Sequence, residues 1–354
     1  MTFSRESLKS TYHKVSRKHW VVIASCVILT FVMVFVTLGA GVYDISLGDA
    51  LDAWWGHITG GAVEPHDDHY VWDIRLPRAI AAAFVGAGLS VGGAVMQSAL
   101  KNPMADPYTM GVSSSAFFGA VISIIGGISI LPFLSGDAGT VTNAFLFSMV
   151  PVVVIMFLAK RKHVSPTVMI LVGIAIMYIF SSCTQYMMVT ADESSLAEAY
   201  SWRVGTLADV TWSDVPVIAV SVTVLSALLV VLHKKINIVS VDSRYSKTLG
   251  ENVDRIRVVL LIIVALIAAT VVSFTGTIGF IGLVCPHIMR MFVGSNPKHL
   301  IPASLAFGAA FMIVIDTVAK VTGANGLPVG VISALIGGPI FAYLLIRQRR
   351  SAWS

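Results

Sequence analysis

The residues able to do chemistry in this 354-residue chain are few and lie far apart. No H-E-x-x-H, G-x-S-x-G or G-x-x-x-x-G-K-[ST] occurs, so no zinc-protease helix, hydrolase elbow or phosphate loop for ATP is written here. Residues 65–70, PHDDHY, crowd His66, Asp67, Asp68 and His69 together. Adjacent carboxylates between histidines lack a regular ligand spacing, so the segment is read as a solvated loop and no metal site is expected. Asp316 and Lys320 stand four apart, the spacing of a helical ion pair. His287 follows Pro286 and suits either a ligand contact or an interhelical hydrogen bond, while Arg290 can snorkel to the nearer surface. Arg75 and Arg78 bracket Pro77 in WDIRLPRAIAA, at the mouth of a long apolar run. A guanidinium is a fork that pairs bidentately with a carboxylate, and two of them at one helix entrance need a reason.

The elements that must hold these residues are membrane helices. Hydrophobic residues make up 56% and charged residues 12%, against about 25% charged for a soluble domain. A bilayer core takes roughly 20 apolar residues per helix. Such runs fall at approximately 20–42, 76–99, 108–131, 142–160, 167–190, 213–232, 256–273, 277–293, 301–320 and 327–346. The expectation is an all-α polytopic protein of ten transmembrane helices over residues 20–346, flanked by a basic tail at 1–19 and a short tail at 347–354. The first run is too long for the apolar part of a secretory signal and no A-x-A-like cleavage site follows it, so it is read as a retained span. Cys26, Cys183 and Cys285 all fall inside apolar runs and are read as small hydrophobes.

Orientation follows from the loops. Arg5, Lys9, Lys14, Arg17 and Lys18 precede the first span, Lys101 follows the second, and Lys160, Arg161 and Lys162 follow the fourth. His233, Lys234 and Lys235 follow the sixth, Lys298 the eighth, and Arg347, Arg349 and Arg350 close the chain. By the positive-inside rule both termini are cytoplasmic, which also accounts for the net charge of +5 without a nucleic acid. The opposite loops are acidic: Asp44, Asp49, Asp52, Glu64, Asp67 and Asp68 in the first, Asp137 in the second, and Asp192, Glu193 and Glu198 in the third. Arg75 and Arg78 therefore stand on the outer rim, against the charge bias.

Gly88 and Gly92 form a small-xxx-small ridge for close helix packing. Pro151 and Pro286 interrupt spans, as in a translocation path or as plain packing features. The cytoplasmic segment at about 237–255 is polar, longer than a turn between helices needs, and carries a helix-compatible SRYSKTLG closed by Gly250. It reads as a docking surface.

Taken together, RLPR at 75–78, GAVMQSALKNPMADPYTMGVSS from Gly93, SWRVGTLADVTW from Ser201, SKTLGENVDRIR from Ser246, GTIGFIGLVCPHIMR from Gly276 and LPVGVISALIGGPIF from Leu327 resemble the FecCD-type permease subunits of type II ABC importers, which take up iron-siderophore, haem and cobalamin. The resemblance runs from Trp20 nearly to the end. It implies a ten-helix permease of the cell membrane, working as a homodimer with two cytoplasmic ATPase subunits and an outer substrate-binding protein. ATP and Mg would be bound by the partner ATPase, with no cofactor and no catalytic residue in this chain.

The resemblance further assigns Arg75 and Arg78 to docking of the binding protein. Lys320 stands at a third position, usually arginine in the family, and lacks the fork. Ser246, Leu249 and Gly250 map to ATPase coupling, and Asn102, Met104, Pro166 and Thr167 to the cytoplasmic gate, Pro166 replacing a residue that is polar in some relatives. Ferric siderophore is the first substrate expected, then haem or cobalamin. The alternative class is an ion-coupled secondary transporter, which would need a coupling carboxylate at mid-membrane.

Overall fold

A computed structural model describes residues 5–159, 165–241 and 251–348, and the regular structure among them is helical throughout. The chain runs through α1 (Arg5–Leu38), α2 (Leu47–Thr59), α3 (Pro65–Asp68), a π-helical turn (His69–Arg75) and α4 (Leu76–Leu100). A short 3-10 turn (Pro107–Met110) leads to α5 (Val112–Ile124), α6 (Gly136–Ser148), α7 (Val150–Ala159), α8 (Pro166–Val189) and α9 (Glu193–Val204). Then come α10 (Val215–Val231), α11 (His233–Ser240), α12 (Val253–Thr275), α13 (Ile281–Val293), α14 (Pro297–Val321) and α15 (Val329–Gln348).

Seven helical stretches among the described residues are long and apolar enough to cross a bilayer, and α10 with α11, bent by 62°, makes an eighth if taken as one span. The remaining two apolar segments are the 13-residue helices α5 and α13. Each rises about 20 Å, short of the roughly 30 Å hydrocarbon core. The expected third span at 108–131 is thus interrupted at both ends, by the 3-10 turn and by a non-helical stretch from Ile125, where Gly127 takes φ 63°. The eighth begins only at Ile281, because Gly276 and Phe280 both have positive φ, 64° and 69°. The fourth is broken at Met149, where Pro151 leaves the carbonyl four residues back without its helical donor.

Two further expectations change. Helix α1 already begins at Arg5, so most of the basic tail is its first turns. The acidic segment after α1 is a folded cap of α2, α3 and the π-helical turn. Ser46 caps α2 by accepting from the Asp49 amide at 3.2 Å, and His57 both pairs with Asp68 at 2.7 Å and stacks on Trp72 at 3.9 Å.

Helix α4 is the hub, with 83% of its apolar window buried, against 22% for α1 and for α8. It packs on α10, α12, α13 and α14. Glycine makes this possible. A Cβ on Gly86 would lie 2.2 Å from the Gly308 carbonyl oxygen of α14, and one on Gly93 would lie 1.8 Å from that of Gly282 in α13. The Ser90 hydroxyl donates to the Ser304 carbonyl at 2.7 Å across the α4–α14 crossing. Gly88 and Gly92 instead receive the side chains of Val222, Val264, Ile267 and Pro107.

Three sequence-distant segments also meet backbone to backbone. The Thr206 amide donates to Thr275 O at 2.9 Å and the Gly330 amide to Gly205 O at 3.0 Å. This junction joins the ends of α9 and α12 to the start of α15.

Candidate outer rim and membrane cavity

The π-helical turn rotates Arg75 inward. Its guanidinium donates to Leu38 O at 2.6 Å and to Tyr43 O, and the residue is 3% exposed. The expectation of two guanidiniums presented outward is therefore corrected at Arg75, which ties the end of α1 and the following strap to α4. Arg78, one turn later, forms the bidentate fork. Nε reaches Asp316 Oδ1 at 2.9 Å and Oδ2 at 3.1 Å, and the terminal nitrogen reaches Oδ1 at 2.8 Å. Lys320 lies 3.6 Å from Asp316, as the four-residue spacing implies, and donates to the Thr37 hydroxyl at 2.7 Å. It too is buried. Arg75, Arg78 and Lys320 line one cavity of about 310 Å³ together with Tyr43, Tyr70 and Asn325. Arg78 and Lys320 hold the buried Asp316, while Arg75 feels Asp67 and Tyr70, so the three lining cations outnumber the two carboxylates beside them.

At the other end of α4, Asn102 Oδ1 accepts from the Met104 amide at 2.9 Å, shaping a turn that leaves Met104 exposed. Pro166 and Thr167 form the first turn of α8, capped by Ser165 accepting from Val168 N at 3.3 Å. The contact with α8 is made by the turn that follows: a Cβ on Gly173 would lie 2.7 Å from Met110 Cα and from Thr109 O. Asp106 sits inside this turn, accepting from the Tyr108 amide at 2.9 Å. Burial pushes its carboxyl up to about 6, against the opposing pull of that amide.

Ser246, Leu249 and Gly250 lie outside the described residues. Their flanks are anchored to α4: Lys101 donates to Val241 O, and Arg257 Nε donates to Ala99 O at 2.9 Å while its other arm pairs with Asp254 at 2.8 Å. Lys235 pairs with Glu251 across the gap. Helix α11 already covers residues 233–240 and α12 starts at Val253, so the expected segment of 237–255 is shortened at both ends.

His287 is buried, and its Nδ1 has no hydrogen-bond partner among the described residues. Arg290 does not snorkel: it turns inward to Gln97 Oε1, whose amide nitrogen donates to Gly282 O at 3.3 Å.

A cavity of about 710 Å³ opens between α5, α8 and α9, where no site was expected from the sequence. Ser181, Thr184 and Gln185 of α8, Ser113 of α5, Thr277 and Arg203 line it. The signal was available, since Met177, Ser181, Thr184, Gln185 and Met188 repeat at helical spacing on one face of α8.

Residues 28–347 match the FecCD transport family. The chain belongs to that family. It is 38% identical to the cobalamin import system permease of Halobacterium salinarum over 276 residues, 78% of this chain and 73% of that one. It is 31% identical to the Fe(3+)-citrate import system permease of Bacillus subtilis over 348 residues, 97% and 99% of the two. A solved inward-facing structure, described as a metal-chelate type ABC transporter, superposes with TM-score 0.81 at 27% identity, covering 92% of this chain and 99% of the other. As a FecCD member the chain is a multi-pass membrane permease of an ABC importer.

Proposed function

We propose that this FecCD permease works as one of two identical subunits, each crossing the membrane ten times with both termini in the cytoplasm, and imports a bulky metal chelate, ferric siderophore before haem or cobalamin. Two partner ATPases supply the energy through the segment carrying Ser246, Leu249 and Gly250, and a binding protein delivers the chelate to the outer rim. Asn102, Met104, Pro166 and Thr167 are assigned to closing the cytoplasmic end. The relatives' names support the chelate class, and they differ in the chelate, iron-citrate in one and cobalamin in another.

The observation that carries the docking assignment is the rim cavity, lined by Arg75, Arg78 and Lys320, with Arg78 and Lys320 paired to the buried Asp316. A carboxylate from the binding protein entering it meets excess positive charge. Arg75 and Lys320 act there through their field from below the surface, with Arg78 nearest to contact. Close charge pairs across a docked interface couple by roughly 1.5–7 kcal/mol. The test leaves the permease untouched: acidic residues on the binding protein are reversed and its affinity for the purified importer is measured at low and high salt. Loss of affinity at low salt, converging at high salt, supports docking at the rim. Unchanged affinity at low salt refutes it.

The alternative class, ion-coupled transport, has less support. Asp316, buried within α14, is held by three hydrogen bonds from Arg78 and a nearby Lys320, which opposes a cycle of protonation.

A further inference from the structure

The cavity between α5, α8 and α9 has a chemical bias that neither the rim nor the coupling segment explains. Its walls carry hydroxyls and an amide, from Ser113, Ser181, Thr184, Gln185 and Thr277, and one charge, that of Arg203. None of the lining residues is acidic. Arg203 makes no ion pair within 4.0 Å among the described residues. It sits in the last turn of α9, its guanidinium carbon 5.8 Å from the centroid of the Phe117 ring. That ring contact holds the guanidinium plane by cation–π attraction and leaves its N–H edges free to donate. Phe117 is itself fixed, stacked on Trp202 at 5.7 Å and 12°. The guanidinium is thus biased toward the Phe117 ring on the protein side and open on the cavity side.

We propose that this cavity is a substrate subsite that takes the anionic, oxygen-rich part of a metal chelate, with Arg203 as its charge selector. The proposal rests on the importer reading above. Carboxylate, catecholate and hydroxycarboxylate ligands all present oxygen acceptors around the metal. Arg203, the Gln185 amide and the Ser181 hydroxyl can donate to them, while the Thr184 hydroxyl already donates to Phe180 O and those of Ser113 and Thr277 pair with each other. A net-cationic chelate of the same size meets the same hydroxyls but is repelled by the guanidinium. The volume of about 710 Å³ falls within the roughly 300–1,000 Å³ range of small-molecule sites.

The test uses the assembled importer, permease with its ATPase, in lipid nanodiscs without the binding protein. Equilibrium retention of radio-iron is measured for ferric citrate, a net anion, and for ferrioxamine B, a net cation. Ferric citrate is expected to bind the more tightly and to weaken with salt. Arg203→Gln should weaken it about twofold to fivefold, the loss that follows from one partly wet charge contact. Arg203→Lys should restore part of that loss, and ferrioxamine B should bind Arg203→Gln at least as well as the unmodified importer. Ser181→Ala combined with Gln185→Ala, on a different helix, should weaken ferric citrate independently, which keeps the test usable if Arg203→Gln folds poorly.

Equal retention of the two chelates by the unmodified importer overturns the proposal. So does unchanged ferric citrate affinity in Arg203→Gln, or a loss of dimer in that variant with chelate affinity intact, which makes Arg203 a subunit contact. A separate arm measures ATP hydrolysis with the binding protein added. No stimulation there refutes the importer reading itself, whereas stimulation with unmoved chelate affinities refutes only the subsite.

Discussion

Replacing Asp316 with asparagine leaves Arg78 and Lys320 facing each other across a neutral amide in a site where Asp316 is fully buried. Breaking a buried pair in this way costs about 3–5 kcal/mol, so Asp316→Asn is expected to lower the thermal midpoint of the detergent-purified permease sharply. Arg75→Gln acts by a different route. Leu38 O and Tyr43 O lose a charged donor, each such bond contributing roughly 1.5–3 kcal/mol, and the join between α1 and the cap of α2 and α3 should loosen before the rest of the protein in hydrogen exchange. Of these contacts the sequence showed only the Asp316–Lys320 spacing. The Arg78–Asp316 fork spans 238 positions, and the partners of Arg75 are backbone carbonyls, which residue types do not display.

Asp106 gives a pH prediction at the same scale. Its folded carboxyl titrates near 6 because burial disfavours the ion, while an unfolded aspartate titrates near about 3.9. Between these values the folded state holds a proton that the unfolded state has lost. Its contribution to stability therefore falls as pH rises through that window and stays low above about 6. Asp106→Asn keeps an acceptor for the Tyr108 amide and should flatten the slope of stability between pH 4 and pH 6 in detergent. An unaltered slope would place the titrating group elsewhere.

At the scale of elements, the apolar runs were legible because composition alone excludes a soluble fold, and all ten expected segments carry helix. Their lengths were not. Hydropathy does not register the positive φ of Gly276 and Phe280 that delays α13, nor the 3-10 turn that shortens α5. The contacts that set helix spacing were also only half visible. The Gly88 and Gly92 ridge is present, but the closest approaches belong to Gly86 with Gly308 and Gly93 with Gly282. Which glycine faces a backbone depends on the crossing partner. Gly93→Ala puts a methyl 1.8 Å from the Gly282 carbonyl oxygen, so α4 and α13 must separate, at a cost of about 1–3 kcal/mol or more. Gly88→Ala meets side chains that can turn aside and should cost less. Chemical unfolding of the two variants side by side checks the order.

At the scale of the whole molecule, the motifs that resembled the FecCD permeases prove to be joints. SWRVGTL, GTIGF and LPVGV meet at the Gly205, Gly276 and Gly330 junction, and the two flanks of the segment proposed for coupling fasten to the end of α4 through Lys101 and Arg257. If an ATPase pushes on that segment, the push is delivered to α4, the most buried span among the described residues. If the ATPase docks there, Leu249→Asp should leave the permease folded and ATP hydrolysis running while uptake is lost.

The importer account as a whole is tested most directly in proteoliposomes holding the permease, its ATPase and its binding protein, by following uptake of the chelate that copurifies with the binding protein. The account predicts uptake that requires ATP and the binding protein and is indifferent to a protonophore. Uptake that persists without the ATPase and collapses with the proton gradient would contradict it.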